Sequence, residues 1–190
     1  LKPKQIVLLA SGSGSNVENI ATYFERDPNI TIAAVLTNKR DAKVLDRCNR
    51  LKINALYFNR QAFSESSCVL NILKSLEPDL IILAGFLWKI PQNLVDAFPK
   101  QIINIHPALL PNYGGKGMYG INVHKAVKAN KDDETGITIH FVNQNYDEGA
   151  IIHQTKTIVL PEDSVEQIAK KVHELEYQHF PRVIEKLLTK

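Results

Sequence analysis

A chain of 190 residues with 44% hydrophobic and 23% charged side chains can bury a good core and has the composition of an ordinary globular protein, so one domain is expected. Its formal net charge is only +3 and its basic residues are dispersed, which argues against nucleic acid or an anionic membrane as the main partner and leaves a small anionic substrate open. Two cysteines, Cys48 and Cys68, fall in segments that read as helices without metal or redox spacing, so both are read as reduced structural thiols of a cytoplasmic protein.

Ile6 to Ala10 is a continuous apolar run, suited to a strand buried on both faces and too short for a signal peptide or a membrane span. Ser11-Gly12-Ser13-Gly14-Ser15-Asn16 follows, then Val17, Ile20, Ala21 and Phe24 at helical spacing. Strand, glycine-rich turn and helix together present backbone N–H groups and a helix N-terminus to a phosphate. Val17 stands where a dinucleotide fingerprint has its third glycine, and no Walker lysine follows, so a monophosphate is the better ligand. A side chain at Gly14 is expected to crowd the phosphate approach.

The alternation continues with a strand at 30–36, a helix over 42–51, a short strand at 55–58, a helix over 62–76, a buried strand at 79–85 and a short helix behind Pro91. Strands alternating with helices imply right-handed crossovers and a doubly wound, mostly parallel α/β sheet. Ile102-Ile103-Asn104-Ile105-His106-Pro107 is the next strand. Alternation puts Asn104 and His106 on one face, and Pro107 ends the strand with the imidazole at its carboxyl end, where such sheets bind ligands.

The segment 112–120 contains four glycines and reads as a mobile loop over a site. A helix over 123–129 precedes Thr135 to Val142, whose alternation predicts a more exposed strand, and Ala150 to Leu160 is its hairpin partner. These two are expected as antiparallel additions at one side of the sheet. Asp163-Ser164-Val165-Glu166 has capping-box spacing, and an apolar stripe from Val165 to Leu187 marks a long last helix that Pro181 should kink. Glu176 lies at the edge of that stripe, where a carboxylate is usually half-solvated.

No nucleophile elbow and no zinc-ligand spacing occurs, so covalent and metal-assisted mechanisms have no support. His106 as general acid or base, Asn104 as a neutral donor and an acid from the Tyr146-Asp147-Glu148 turn suit acyl transfer through a tetrahedral intermediate. Spacing alone does not bring Asp147 to His106.

Gly12-Ser13-Gly14-Ser15-Asn16, Leu83-Ala84-Gly85-Phe86, Asn104 to Pro111, the loop Gly114 to Gly120, and His140-Phe141-Val142 followed by Asp147-Glu148-Gly149 resemble the phosphoribosylglycinamide formyltransferase family through nearly the whole chain. The resemblance implies a single Rossmann-like formyltransferase domain over 1–190. It also implies direct attack of the amine of glycinamide ribonucleotide on the formyl carbon of 10-formyltetrahydrofolate, a co-substrate, with no metal. Asn104 and protonated His106 would hold the oxyanion, His106 would protonate the leaving nitrogen, and Asp147 would keep His106 charged and oriented. Gly12, Ser13, Gly14, Ser15 and Asn16 correspond to the substrate-phosphate loop and Glu176 to a ribose-contacting acid. Arg60 corresponds to a basic residue near the folate tail. Leu87, Trp88, Lys89 and Ile90, with Asn104, correspond to the folate pocket. Trp88 stands where arginine is frequent, and His173 where some relatives have a lysine near the phosphate.

Methionyl-tRNA formyltransferase and formyltetrahydrofolate hydrolase share the Asn-x-His-Pro segment and remain rivals, as does a nucleotide-binding module without catalysis. The tRNA enzyme would need a C-terminal domain and a basic surface, and the hydrolase an added N-terminal domain; neither is expected here. A monomer or a homodimer is equally compatible with the sequence.

Overall fold

The computed structural model describes residues 2–189. In chain order the elements are β1 (Lys4–Leu9), α1 (Ser15–Phe24), β2 (Ile30–Thr37), α2 (Val44–Leu51), β3 (Ala55–Tyr57), α3 (Cys68–Leu76), β4 (Leu80–Leu83), α4 (Gln92–Ala97), β5 (Ile102–His106), α5 (Ile121–Asn130), β6 (Glu134–Phe141), β7 (Ile151–Ile158) and α6 (Val165–Leu188). The strands form one sheet in the order β3-β2-β1-β4-β5-β6-β7, with β1 to β5 parallel and β6 and β7 antiparallel, as the alternation of strands and helices implies.

The two faces of β1 show how the sheet is sandwiched. Ile6 and Leu8 pack with Val17 and Ile20 of α1 and Val172 and Phe180 of α6, whereas Val7 and Leu9 pack with Val69 and Leu73 of α3 and Leu94 of α4. Helices therefore cover both faces, which is why this strand is apolar at every position rather than at alternate ones.

Several local expectations give way to tertiary context. The segment 62–76 is not one helix: a π-helical turn, Gln61–Glu65, precedes a break at Ser66 and Ser67, and Ser67 is the N-cap of α3. Cys48 is buried, but Cys68 is exposed at the start of α3 and fills no part of the core. Strand β6 is not an exposed strand. It lies between β5 and β7 with Thr135 through His140 buried, because its polar face is covered by the loops that leave β5. The capping box of α6 is one residue later than the spacing indicated: Ser164 accepts from the Gln167 N–H, and the Gln167 side chain accepts from the Ser164 N–H. Asp163 instead accepts from the Leu160 N–H at 2.8 Å and from the Lys171 ammonium. Pro181 lies inside α6, which runs on past it to Leu188. Among the described residues no helix is long and apolar enough to cross a membrane.

Candidate active site

Parallel strands send their loops out at one edge, and here those loops enclose a cavity of about 700 Å³ at the carboxyl ends of β1, β4 and β5. Its walls are the 11–16 turn, residues 84–87 after β4, the end of β5, the glycine-rich loop and the inward face of α6.

The chemistry converges on one carboxylate. Asp147, in the turn between β6 and β7 with φ 55°, lies 3.6 Å from Nδ1 of His106 and 3.6 Å from Nε2 of His140. It accepts the Gly115 N–H at 2.9 Å and stands 3.5 Å from Nδ2 of Asn104. Nε2 of His106 faces the Tyr113 carbonyl at 2.8 Å; a carbonyl only accepts, so this nitrogen carries a hydrogen and Nδ1 is the one turned to the carboxylate. Protonation would thus give both ring N–H groups an acceptor. His140 donates from Nδ1 to the Phe141 carbonyl at 2.9 Å, and its Nε2 stands 3.1 Å from Nδ2 of Asn104.

Burial pushes the pKa of His106 below its ordinary value, since the ring is 3% exposed, and the Asp147 carboxylate opposes that shift. Burial also works against ionisation of Asp147. The His140 ring, the charge of His106 and the Gly115 N–H outweigh it, so the Asp147 carboxyl lies below the usual carboxylate range. The site accordingly holds an anion ready to receive charge on His106.

At the other end of the cavity α1 begins with Gly14 as N-cap at φ 74° and no side-chain cap. Among the described residues the N–H groups of Gly12, Ser13 and Gly14 meet no protein acceptor, so the helix start is open to an anion. Gly14 has a second constraint: a Cβ there would overlap the Val44 side chain, because the Val44 N–H bonds to the Gly12 carbonyl and seats α2 against the turn. Gly14→Val therefore tests packing before it tests phosphate approach. Gly12 faces open space.

Glu176 is 5% exposed, not half-solvated. Its Oε2 accepts from Asn16 Nδ2 at 2.9 Å and pairs with Nδ1 of His173 at 3.0 Å, which raises the His173 pKa. On the β4 side, Leu87 lines the cavity and its N–H donates to the Ser11 hydroxyl. Arg60, Trp88, Lys89 and Ile90 do not line it. The Arg60 guanidinium stacks 4.2 Å from the centre of the Trp88 ring, Lys89 stands over Tyr146, and Ile90 is core. Trp88 packs against Phe58, Phe63 and Phe86 behind the wall.

The structure thus gathers Asn104, His106, Asp147, Gly12 to Asn16, Leu87 and Glu176 around one cavity. Sequence reasoning missed His140 and His124. His140 had a signal, because it shares a strand face with Thr138 and precedes the acidic turn. His124, on α5, is 2% exposed and lines the same cavity. Burial first, then the neighbouring His173, depress its pKa to about 4, with Glu176 opposing. A histidine whose folded pKa is depressed adds stability above its unfolded value, and that stability is lost as pH falls through the folded one. The window from 6.5 to about 4 corresponds to on the order of 3 kcal/mol. Urea titrations at pH 7 and pH 4 should show that loss in the parent protein and a much flatter dependence in His124→Leu; equal slopes would refute the assignment.

Comparison with known proteins gives the same picture. The family model described as formyl transferase matches residues 4–184. Phosphoribosylglycinamide formyltransferase of Haemophilus influenzae is 39% identical over 186 residues, covering 95% of this chain and 85% of that protein. The chloroplastic phosphoribosylglycinamide formyltransferase of Arabidopsis thaliana is 38% identical over 187 residues, covering 95% of this chain, which spans 64% of that protein's length. The crystal structure of the Anaplasma phagocytophilum phosphoribosylglycinamide formyltransferase superposes with a TM-score of 0.90 at 29% identity, over 99% of this chain and 88% of that one. A glycinamide ribonucleotide transformylase structure from Geobacillus kaustophilus gives 0.88 at 31% identity, over 98% and 99%. With sequence, strand order and cavity all in agreement, the chain belongs to the formyl transferase family.

Proposed function

We propose that this chain acts as a single cytoplasmic domain that moves the formyl group of 10-formyltetrahydrofolate to the amine of glycinamide ribonucleotide, in purine biosynthesis and without a metal. The observation that carries this reading is the Asp147 carboxylate set between His106, His140 and the Asn104 amide, in a cavity whose far end is the uncapped start of α1. A phosphate at α1 and an amine at His106 would be the two ends of one substrate, with the sugar beside Glu176.

The amine lone pair attacks the formyl carbon, and the carbonyl π electrons move to oxygen. Asn104 and the His106 imidazolium hold that oxyanion. Collapse reforms C=O and breaks the bond to the folate nitrogen, which takes its proton from His106, while the proton given up by the former amine passes back to His106 and restores its charged form. His106 Nε2 faces the Tyr113 carbonyl, and the Asn104 amide nitrogen faces His140. Substrates take over these donors, so the 112–120 loop must yield as they enter. Arg60 and the 87–90 segment serve the folate, its tail and pterin respectively, with Trp88 holding the Arg60 guanidinium on its face.

Incubation of the purified chain with both substrates, followed by detection of formylglycinamide ribonucleotide, tests the reading directly. Formyl transfer to another amine, with none to this one, would overturn it. Two further measurements probe the ends of the cavity. Gly12→Val, placed in open space, should keep the parent melting temperature within a few degrees and raise KM for the ribonucleotide about tenfold with little change for the folate; equal changes in both would remove the phosphate assignment. A saturating folate analogue should raise the melting temperature by mass action and alter the fluorescence of Trp88, the only tryptophan. If neither signal moves, the folate does not bind beside the 87–90 segment.

A further inference from the structure

His124 is buried in the cavity wall, and no part of the chemistry above uses it. Among the described residues its Nδ1 is sealed from solvent without a hydrogen-bond partner, whereas Nε2 is neither sealed in this way nor bonded to the protein. A neutral imidazole carries one hydrogen, and an orphaned N–H is costlier to bury than an orphaned lone pair. The hydrogen therefore belongs on Nε2, which makes His124 an uncharged donor in the wall. Across from it on α6, Glu176 commits Oε2 to Asn16 and His173 and leaves Oε1 without a protein partner among the described residues. Asn16 adds a second buried orphan, Oδ1. A fixed donor and free acceptors on facing elements suit a group that both gives and accepts hydrogen bonds, which is what a hydroxyl does and a phosphate or an ammonium does not.

We propose that His124 contacts the substrate itself, its Nε2–H donating to a ribose hydroxyl whose own hydrogen is accepted by Glu176 or Asn16. This rests on the phosphoribosyl substrate proposed above. Burial keeps the ring neutral near pH 7, so the contact is insensitive to pH over 6 to 8, unlike one made by His173. The unpaired Nδ1 is a stability cost retained because the position serves binding.

Two substitutions separate binding from packing. His124→Leu removes the donor, whereas His124→Gln places an amide N–H where Nε2 stood. His124→Leu is expected to raise KM for glycinamide ribonucleotide about tenfold, leave KM for the folate within twofold and keep or raise the melting temperature; His124→Gln should recover most of the loss. With 2′-deoxy and 3′-deoxy ribonucleotides, the Leu penalty should vanish for whichever analogue lacks the contacted hydroxyl. An unchanged KM in His124→Leu, a failed rescue by Gln, or a full penalty with both analogues would overturn the inference while formyl transfer by the parent protein stands. Absence of formyl transfer in the parent protein would overturn the proposed function, and this inference with it.

Discussion

Asp147→Asn should slow formyl transfer by about 10² to 10⁴, the scale of general acid–base and oxyanion contributions, while leaving both substrates bound nearly as tightly as before. The carboxylate faces His106 Nδ1 at 3.6 Å and is the largest influence raising the pKa of that ring against burial. Removing the charge lowers the His106 pKa further, so a smaller fraction carries the proton at any given pH. The rate supported by the acid form is lost as pH rises through that pKa, and the loss should begin at lower pH in the variant. His106→Asn keeps a donor but loses the transferable proton and should fall in the same range. Because the two groups act on one transition state, the double variant should be little worse than the worse single one. Single-turnover rates of all three decide the matter, and fully multiplicative losses would end the His106–Asp147 unit.

Gly149→Ala should cost both stability and turnover, because a Cβ there would collide with the carbonyl of Phe141 and approach the His140 ring. The Phe141 N–H bonds to the Ala150 carbonyl at 2.9 Å and closes the turn that carries Asp147. Forcing the two strands apart displaces the carboxylate from both histidines, and a misplacement of about 1 Å costs on the order of 10² in rate. The expected result is a melting temperature lower by several degrees and a turnover loss of at least that size. A variant that melts with the parent and turns over normally would show that the turn does not position Asp147.

Much of the fold could be read locally, since a strand buried on both faces must be apolar throughout and a doubly wound sheet needs several. Ile6 to Ala10 followed by a Gly/Ser turn, and Ile102 to Pro107 ending in an imidazole, mark the two ends of the cavity by local pattern alone. Failures came where burial depends on remote partners. Strand β6 reads as half exposed because Thr138 and His140 are polar. Both are buried because the register of β5 on β6 sets Asn104 opposite His140 and His106 opposite Thr138. Glu176 reads as half-solvated because its edge position says nothing of Asn16, which stands 160 residues away in sequence and 2.9 Å away in space.

The sequence by itself determined which groups were present for chemistry: a neutral amide and an imidazole two residues apart at a strand end, an acid in a turn, and a glycine-rich helix start. These follow from alternation, from the limits proline sets and from helix-terminus geometry, all of which act over a few residues. Only the tertiary structure decided that Asp147 meets His140 as well as His106, that Glu176 is sealed, and that His124 enters the same cavity. The contacts of Asn104 with His140 and Asp147, and of Asn16 with Glu176, join residues 36, 43 and 160 apart, so they depend on strand register, a closed turn and the packing of α6 on α1, and no local preference encodes them.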